Sequence, residues 1–101
     1  MVRSIKLRWT DNARKDLKNI GTYLRIRDAQ AAKRVAARIR EQAKGIRESP
    51  KIGRIVPEYD IPTIRERIVT PYPYRLVYRL SHSGAEILAI WHCAEDHDSS
   101  C

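Results

Sequence analysis

Residues 53–92 carry most of the side chains in this sequence that could do chemistry. Glu58, Arg75 and His92 are of the types that can serve as a general base, a clamp for an anionic phosphate and a general acid. Each also has an ordinary structural interpretation. Glu58 would pair with a loop arginine, Arg75 would hold a neighbouring strand or loop, and His92 would end a buried strand with a hydrogen bond. The structural interpretation is favoured, because a polar residue at the end of a strand is common.

Cations are concentrated in the first half of the chain. Of 101 residues, 20 are Lys or Arg and 12 are Asp or Glu, which gives a formal net charge of +8. Residues 1–54 hold 16 of the cations and 5 of the acids, whereas residues 55–101 hold 4 and 7. Such a field attracts nucleic acid or an acidic protein segment. Because no aromatic residues alternate with the cations and no recognition-helix motif is present, a solvated face that attracts an acidic protein is favoured.

The composition predicts one globular domain over residues 1–93 and a short acidic tail over residues 94–101. No apolar run approaches the length of a membrane span and the N-terminus lacks a secretory signal, so we expect a cytoplasmic protein without membrane contacts. The two cysteines, Cys93 and Cys101, fit a reducing compartment. Together with His97 they recur every four residues, but the usual zinc spacings are absent. We therefore expect no metal and no cofactor.

Sequence periodicity predicts a strand followed by two helices. Residues 3–9 alternate between apolar and polar side chains, as in a half-buried strand. Two apolar stripes at helical spacing follow the capping candidates Thr10 and Asp28. Ser49-Pro50 should end the second helix, because proline disfavours helical geometry at the preceding residue. The short link between the stripes indicates an antiparallel helical hairpin.

The second half of the chain is rich in strand patterns. Residues 51–63 contain glycine and prolines and predict a loop, and residues 64–69 and 74–80 predict two strands. Residues 86–91 are nearly all apolar, which predicts a buried strand at the centre of the sheet. The last three segments together form an antiparallel meander.

The predicted fold is therefore α+β with two layers: an N-terminal strand, an antiparallel helical hairpin, and a three-stranded antiparallel meander. The helices would cover one face of the sheet, and Tyr74 and Tyr78 should pack beneath them. Arg75 and Arg79 alternate with these tyrosines and should point out of the open face. That open face is the expected binding surface.

The order and spacing of several short motifs resemble the RelE/ParE superfamily, the toxins of bacterial type II toxin–antitoxin systems. The motifs are Trp9-Thr10, Ala13-x-x-Asp16-Leu17-x-x-Ile20, Pro57-Glu58, Arg65-Glu66, Tyr74-Arg75-Leu76-Val77-Tyr78 and Ile87-Leu88-Ala89-Ile90-Trp91-His92. The match runs over about residues 5–93 and includes every predicted element. The resemblance implies the RelE/ParE fold.

The resemblance also implies a growth-arresting toxin of a plasmid stabilisation module, held silent by a cognate antitoxin. An extended antitoxin segment would wrap the toxin, and the DNA-binding part of the antitoxin would bring the complex to operator DNA. The residues expected to contact the antitoxin or the target are Arg54, Arg65, Arg67, Arg75 and Arg79.

The two branches of the superfamily differ in target. RelE-like members cut mRNA on the ribosome, and Glu58, Arg75 and His92 would then be the catalytic base, phosphate clamp and acid. ParE-like members poison DNA gyrase and are not known to be enzymes. RelE-type ribonucleases carry a basic run with a tyrosine after the last strand, where this chain has the acidic residues 94–98. ParE-like members often have an arginine shortly after the His92 position, where this chain has Glu95. The acidic segment favours a gyrase poison, with an mRNA interferase second and a non-toxic basic binding module third.

Overall fold

One mixed sheet and a helical hairpin make up the computed structural model, which describes residues 5–93. The strands are β1 (Lys6–Trp9), β2 (Arg54–Ile55), β3 (Ile64–Ile68), β4 (Tyr74–Ser81) and β5 (Gly84–His92), and the helices are α1 (Asp11–Arg27) and α2 (Ala29–Glu48). The strand order is β1-β5-β4-β3-β2. β1 runs parallel to β5, and all other neighbouring strands are antiparallel. The predicted α+β fold is confirmed.

Two details of the predicted sheet were wrong. Arg54–Ile55 lies within the predicted loop but forms β2, which pairs with β3 and extends the meander to four strands. A strand of two residues is too short to give an alternation pattern. β5 was predicted at the centre, but β4 occupies that place and β5 lies next to it. Both β4 and β5 lie inside the sheet, so an apolar sequence typical of a buried strand could not show which of them is central.

Both predicted helix caps are confirmed. The Thr10 hydroxyl accepts a hydrogen bond from the backbone N–H of Ala13 at 3.1 Å. The Asp28 carboxylate accepts from the backbone N–H groups of Gln30 and Ala31 at 3.0 and 3.2 Å. Each side chain satisfies donors that the first turn of its helix would otherwise leave unpaired.

The main core lies between the helical hairpin and the sheet. Its fully buried members include Ala13, Ile39, Ile46, Val69, Leu76, Tyr78 and Ile87. Tyr74 and Tyr78 pack in this core, as predicted. The Tyr78 hydroxyl donates to the carbonyl of Pro50 at 2.6 Å and accepts from the N–H of Gly53 at 2.9 Å. Burial raises the pKa of Tyr78, so the phenol stays neutral and can keep donating.

Gln42 is a polar residue buried in α2, with 3% of its surface exposed, and its Oε1 accepts no hydrogen bond in the described part of the chain. We expect Gln42→Met to raise the free energy of unfolding by about 1 kcal/mol, because a buried acceptor without a partner is costly. Methionine has a similar length and adapts to the same space. Urea denaturation measures the change.

Gln30→Met is the matched control, because Gln30 is an exposed residue of the same helix. The control should change the free energy of unfolding by less than about 0.5 kcal/mol. A Gln42→Met variant less stable than the parent chain would show that the amide contributes a favourable contact.

The opposite face of the sheet is only partly covered. Val56, Val77 and Ala89 form a small buried cluster there, against which Leu88 and Trp91 pack. Val56 comes from the segment between β2 and β3, which folds over this face. The rest of the face carries charged side chains. Neither described helix is long and apolar enough to cross a membrane.

Candidate functional site

Arg75 lies at the centre of a buried ion-pair network on this partly open face of the sheet. Its Nη1 donates to Oε1 of Glu66 at 2.5 Å, and its Nη2 donates to Oε2 of Glu58 at 2.8 Å. Arg54 Nε donates to the other Glu66 oxygen at 2.6 Å. The Trp91 ring centroid lies 4.9 Å from the guanidinium carbon of Arg75. Two carboxylates and an indole ring therefore enclose a guanidinium that has no exposed surface.

Strand register explains how these residues meet. Arg75 pairs directly with Trp91 of β5, and Glu66 of β3 pairs with Val77, two residues along β4. Side chains at paired positions share one face of a sheet, so Glu66, Arg75 and Trp91 are neighbours. Glu58 reaches the network from the segment after β2. Glu58 pairs with an arginine, as its structural interpretation predicted, but the arginine lies on a strand and not in a loop.

His92 points away from this network. It pairs with Tyr74 at the end of β5, and the two rings meet edge to face with centroids 5.2 Å apart. Tyr74 belongs to the core beneath the helices, so His92 lies on that side of the sheet while Arg75 lies on the other. The structure thus joins Glu58 to Arg75 but does not bring His92 to the same guanidinium.

The five arginines predicted to contact a partner do not share one face. Arg54, Arg75 and Arg79 lie on the partly open face, with side chains 43%, 0% and 52% exposed. Arg65 and Arg67 pair with core residues of β4 and so lie on the helix side of the sheet. The expectation that Arg75 points into solvent was wrong, because the enclosing side chains cover it. The alternation of residues along a strand predicts on which face of the sheet a side chain lies, but not whether other side chains cover that face.

Glu86 and Arg8 were missed by the sequence reasoning. The Glu86 carboxylate accepts hydrogen bonds from Arg79 on one neighbouring strand and from Arg8 on the other. These hydrogen bonds, from Arg79 and then Arg8, hold the pKa of Glu86 below its usual value. The sequence did contain a signal for this cluster, because Glu86 is the one acidic residue of the otherwise apolar predicted strand 86–91.

Three side chains at the start of α1 hold β5 where it passes the end of β1. Thr10 Oγ1 and Asn12 Nδ2 donate to the carbonyl of Leu88 at 3.2 and 3.0 Å, and Asp16 Oδ2 accepts from the N–H of Ile90 at 2.9 Å. The pairing of β4 with β5 shifts register at this point and leaves Leu88 as the extra residue of a β-bulge. The Trp9-Thr10 and Asp16 motifs therefore have a structural role.

A cleft of about 900 Å³ opens beside this segment, between α1 and the end of β5. Its lining residues are Asn12, Asp16, Asn19, Ile20, Tyr23, Glu58, Tyr59, Tyr74, Ile90, Trp91 and His92. Glu58 and His92 therefore face one cavity, although Arg75 does not line it.

Cys93 directly follows β5 and is disulfide-bonded, contrary to the expectation of reduced cysteines. The alternative of a metal site with His97 and Cys101 falls on residues outside the described range 5–93. Among the described residues no group of three or more His, Cys, Asp or Glu side chains could hold a metal ion.

Comparison with known proteins identifies the family. Residues 7–97 match the family model described as "ParE toxin of type II toxin-antitoxin system, parDE". The protein named "Putative toxin Y4kP" from Sinorhizobium fredii is 37% identical over 87 residues, which cover 86% of each chain. "Toxin RelE2" from Caulobacter vibrioides is 34% identical over 86 residues, 85% of this chain and 92% of that protein.

A solved structure described as "Chromosomal ParDE TA system from P. aeruginosa" has the same fold, with a TM-score of 0.75 at 23% identity. The superposition covers 88% of this chain and 96% of the other. The family match begins within β1 and includes both helices and the other four strands. The chain belongs to the ParE toxin family of type II toxin–antitoxin systems.

Proposed function

We propose that this toxin arrests growth by poisoning DNA gyrase and does not itself cleave RNA. The observation that carries the proposal is the burial of Arg75. A catalytic arginine has to reach the phosphoryl oxygens on which charge develops. The Arg75 side chain is 0% exposed, and its terminal nitrogens bind Glu58 and Glu66. An RNA phosphate would have to displace these carboxylates and deprive the buried Glu66 of its contact with Arg75, which is unfavourable.

The surroundings of the other two candidate residues support the same conclusion. Glu58 is occupied by its ion pair with Arg75, and His92 packs against Tyr74 on the opposite side of the sheet. The sequence after β5 contains Glu95, Asp96 and Asp98, and such a segment repels an RNA backbone.

Membership of a toxin–antitoxin family implies an antitoxin partner. We propose that this antitoxin is acidic, because the toxin carries a net charge of +8. Exposed cations such as Arg79 on the sheet would then contribute to the interface. The complex would act in the cytoplasm, reach operator DNA through the antitoxin, and stabilise the plasmid or chromosomal segment that encodes it.

A gyrase assay tests the proposal. Toxin separated from its antitoxin is incubated with gyrase, ATP and relaxed plasmid, and the products are treated with detergent and protease. We expect supercoiling to be lost and linear plasmid to accumulate, because a poison traps gyrase on cleaved DNA. Toxin with its antitoxin restored should leave supercoiling intact. Cleavage of ribosome-bound message, with gyrase unaffected, would overturn the proposal.

A ribosome-dependent mRNA interferase is the second candidate, because Glu58 and His92 line one cleft. If His92 were the general acid, His92→Gln would reduce message cleavage by about 100-fold or more. If the toxin acts on gyrase, the same variant should remain as toxic as the parent chain. Colony counts after induction, with a check that the variant is folded, separate the two outcomes.

A further inference from the structure

We propose that the cleft between α1 and the end of β5 binds an arginine side chain presented by a protein partner. The residues that carry the inference are Asp16, Tyr23, Glu58, Tyr59 and Trp91, all of which line the cleft. The inference concerns a binding site and holds whether the toxin acts on gyrase or on the ribosome.

The charge of the cleft is opposite to that of the protein. The chain has a net charge of +8, yet the described residues lining the cleft include two carboxylates, Asp16 and Glu58, and no Lys or Arg. Glu58 is paired with Arg75, whereas Asp16 forms no ion pair with any residue of the described range. The negative charge of Asp16 is therefore available to a cation from outside.

The Asp16 side chain is also held in place. Its Oδ2 accepts the N–H of Ile90 at 2.9 Å, which anchors the carboxylate to β5. A carboxylate offers about four lone-pair sites, so Oδ1 can still accept from a ligand. A fixed carboxylate loses little side-chain entropy when it binds a guanidinium.

Besides the carboxylate of Asp16, the cleft offers aromatic rings on which a guanidinium could stack. Tyr23 and Tyr59 are 54% and 48% exposed, and the ring of Tyr59 lies 6.0 Å from that of Trp91. Guanidinium groups stack on aromatic faces and also form hydrogen bonds with carboxylates. The chain already shows this chemistry, because Arg27 stacks on Tyr23 at 3.8 Å. No such cation of the described residues lies over Tyr59.

The shape of the cleft fits a segment of polypeptide better than a single small ion. Asn12, Asp16, Asn19 and Tyr23 recur at spacings of four, three and four and so lie along one face of α1. A volume of about 900 Å³ exceeds what one guanidinium fills. The two amides can pair with the backbone of a bound segment. A nucleic acid would instead bring its phosphates close to Asp16, which is unfavourable.

The test uses N-acetyl-arginine methylamide, which is an arginine residue without charged termini. It is titrated into the ¹⁵N-labelled full chain, freed from antitoxin, and amide chemical shifts are followed. We expect saturable shifts confined to residues that line the cleft, with a Kd on the order of 1 mM. The citrulline analogue, which has the same shape without the charge, should bind at least about tenfold more weakly.

Two variants locate the binding. Asp16→Asn keeps an acceptor for Ile90 and removes the charge, and Tyr59→Leu removes the open ring. Each variant should raise the Kd of the arginine probe by roughly fivefold. Glu41→Gln is the matched control, because Glu41 is an exposed carboxylate of α2 outside the cleft, and this variant should bind like the parent chain. Equal binding of the arginine and citrulline probes, no saturable shift, or tighter binding of guanosine monophosphate would overturn the proposal.

Discussion

Arg75→Met is expected to lower the free energy of unfolding by about 3–5 kcal/mol, because it removes the fully buried cation that both Glu58 and Glu66 contact. Glu66 has a side chain with 0% exposure and, among residues 5–93, would keep only Arg54 as a cation partner. Glu58 would lose its partner as well. Urea denaturation of the purified toxin, followed by circular dichroism, measures the loss.

Arg79→Met is the matched control for this variant. Arg79 lies four residues further along β4, on the same face, and also contacts a glutamate, but its side chain is 52% exposed. Exposed ion pairs contribute little to stability, so the free energy of unfolding of the control should fall by less than about 1 kcal/mol. Similar losses in both variants would show that the buried network adds no more stability than a surface pair.

A double variant separates the fold from the activity. Glu66→Leu combined with Arg75→Met removes both fully buried charges, and stability should largely return, because apolar replacement of a buried ion pair is often neutral or better. Arg54 and Glu58 keep part of their side chains in solvent and can be hydrated. A folded double variant that still poisons gyrase supports a structural role for Arg75, whereas a folded but inactive one would indicate a functional role.

Local features of this fold could be predicted from the sequence because their causes lie within a few residues. The caps at Thr10 and Asp28 depend on backbone groups two or three positions away, and the helical stripes repeat every three or four residues. The alternation in residues 74–80 likewise placed Tyr74 and Tyr78 in the core. These assignments needed no knowledge of which strands are neighbours.

The site depends on contacts between distant residues, and for that reason the sequence predicted it less well. Arg8 meets Glu86 across 78 positions, only because β1 pairs with β5 in parallel. Residue types alone suggested a catalytic trio, but register and the covering segment decide that Glu58 joins Arg75 while His92 does not. Neither the register of the strands nor the segment that covers the sheet face leaves a periodic pattern in the sequence.

Gly84→Ala is expected to lower the free energy of unfolding by about 1–3 kcal/mol, because the parallel pairing of β1 with β5 leaves no room for a side chain. Gly84 lies opposite Lys6 in this pairing. A Cβ on Gly84 would overlap the carbonyl oxygen of Lys6 and lie 3.0 Å from its carbonyl carbon. These are backbone atoms and cannot rotate aside. β1 would have to shift, and this shift would weaken the contact of Arg8 with Glu86.

Gly21→Ala provides the opposite case in the same chain. Gly21 lies inside α1, and a Cβ there would meet no atom within 4 Å. Alanine favours helix over glycine by about 1 kcal/mol, so this variant should be more stable than the parent chain. Thermal denaturation of the two variants therefore gives shifts of opposite sign. If Gly84→Ala were instead as stable as the parent chain, β1 would not be held against β5 in the register described, and the Arg8–Glu86–Arg79 cluster would lose its structural basis.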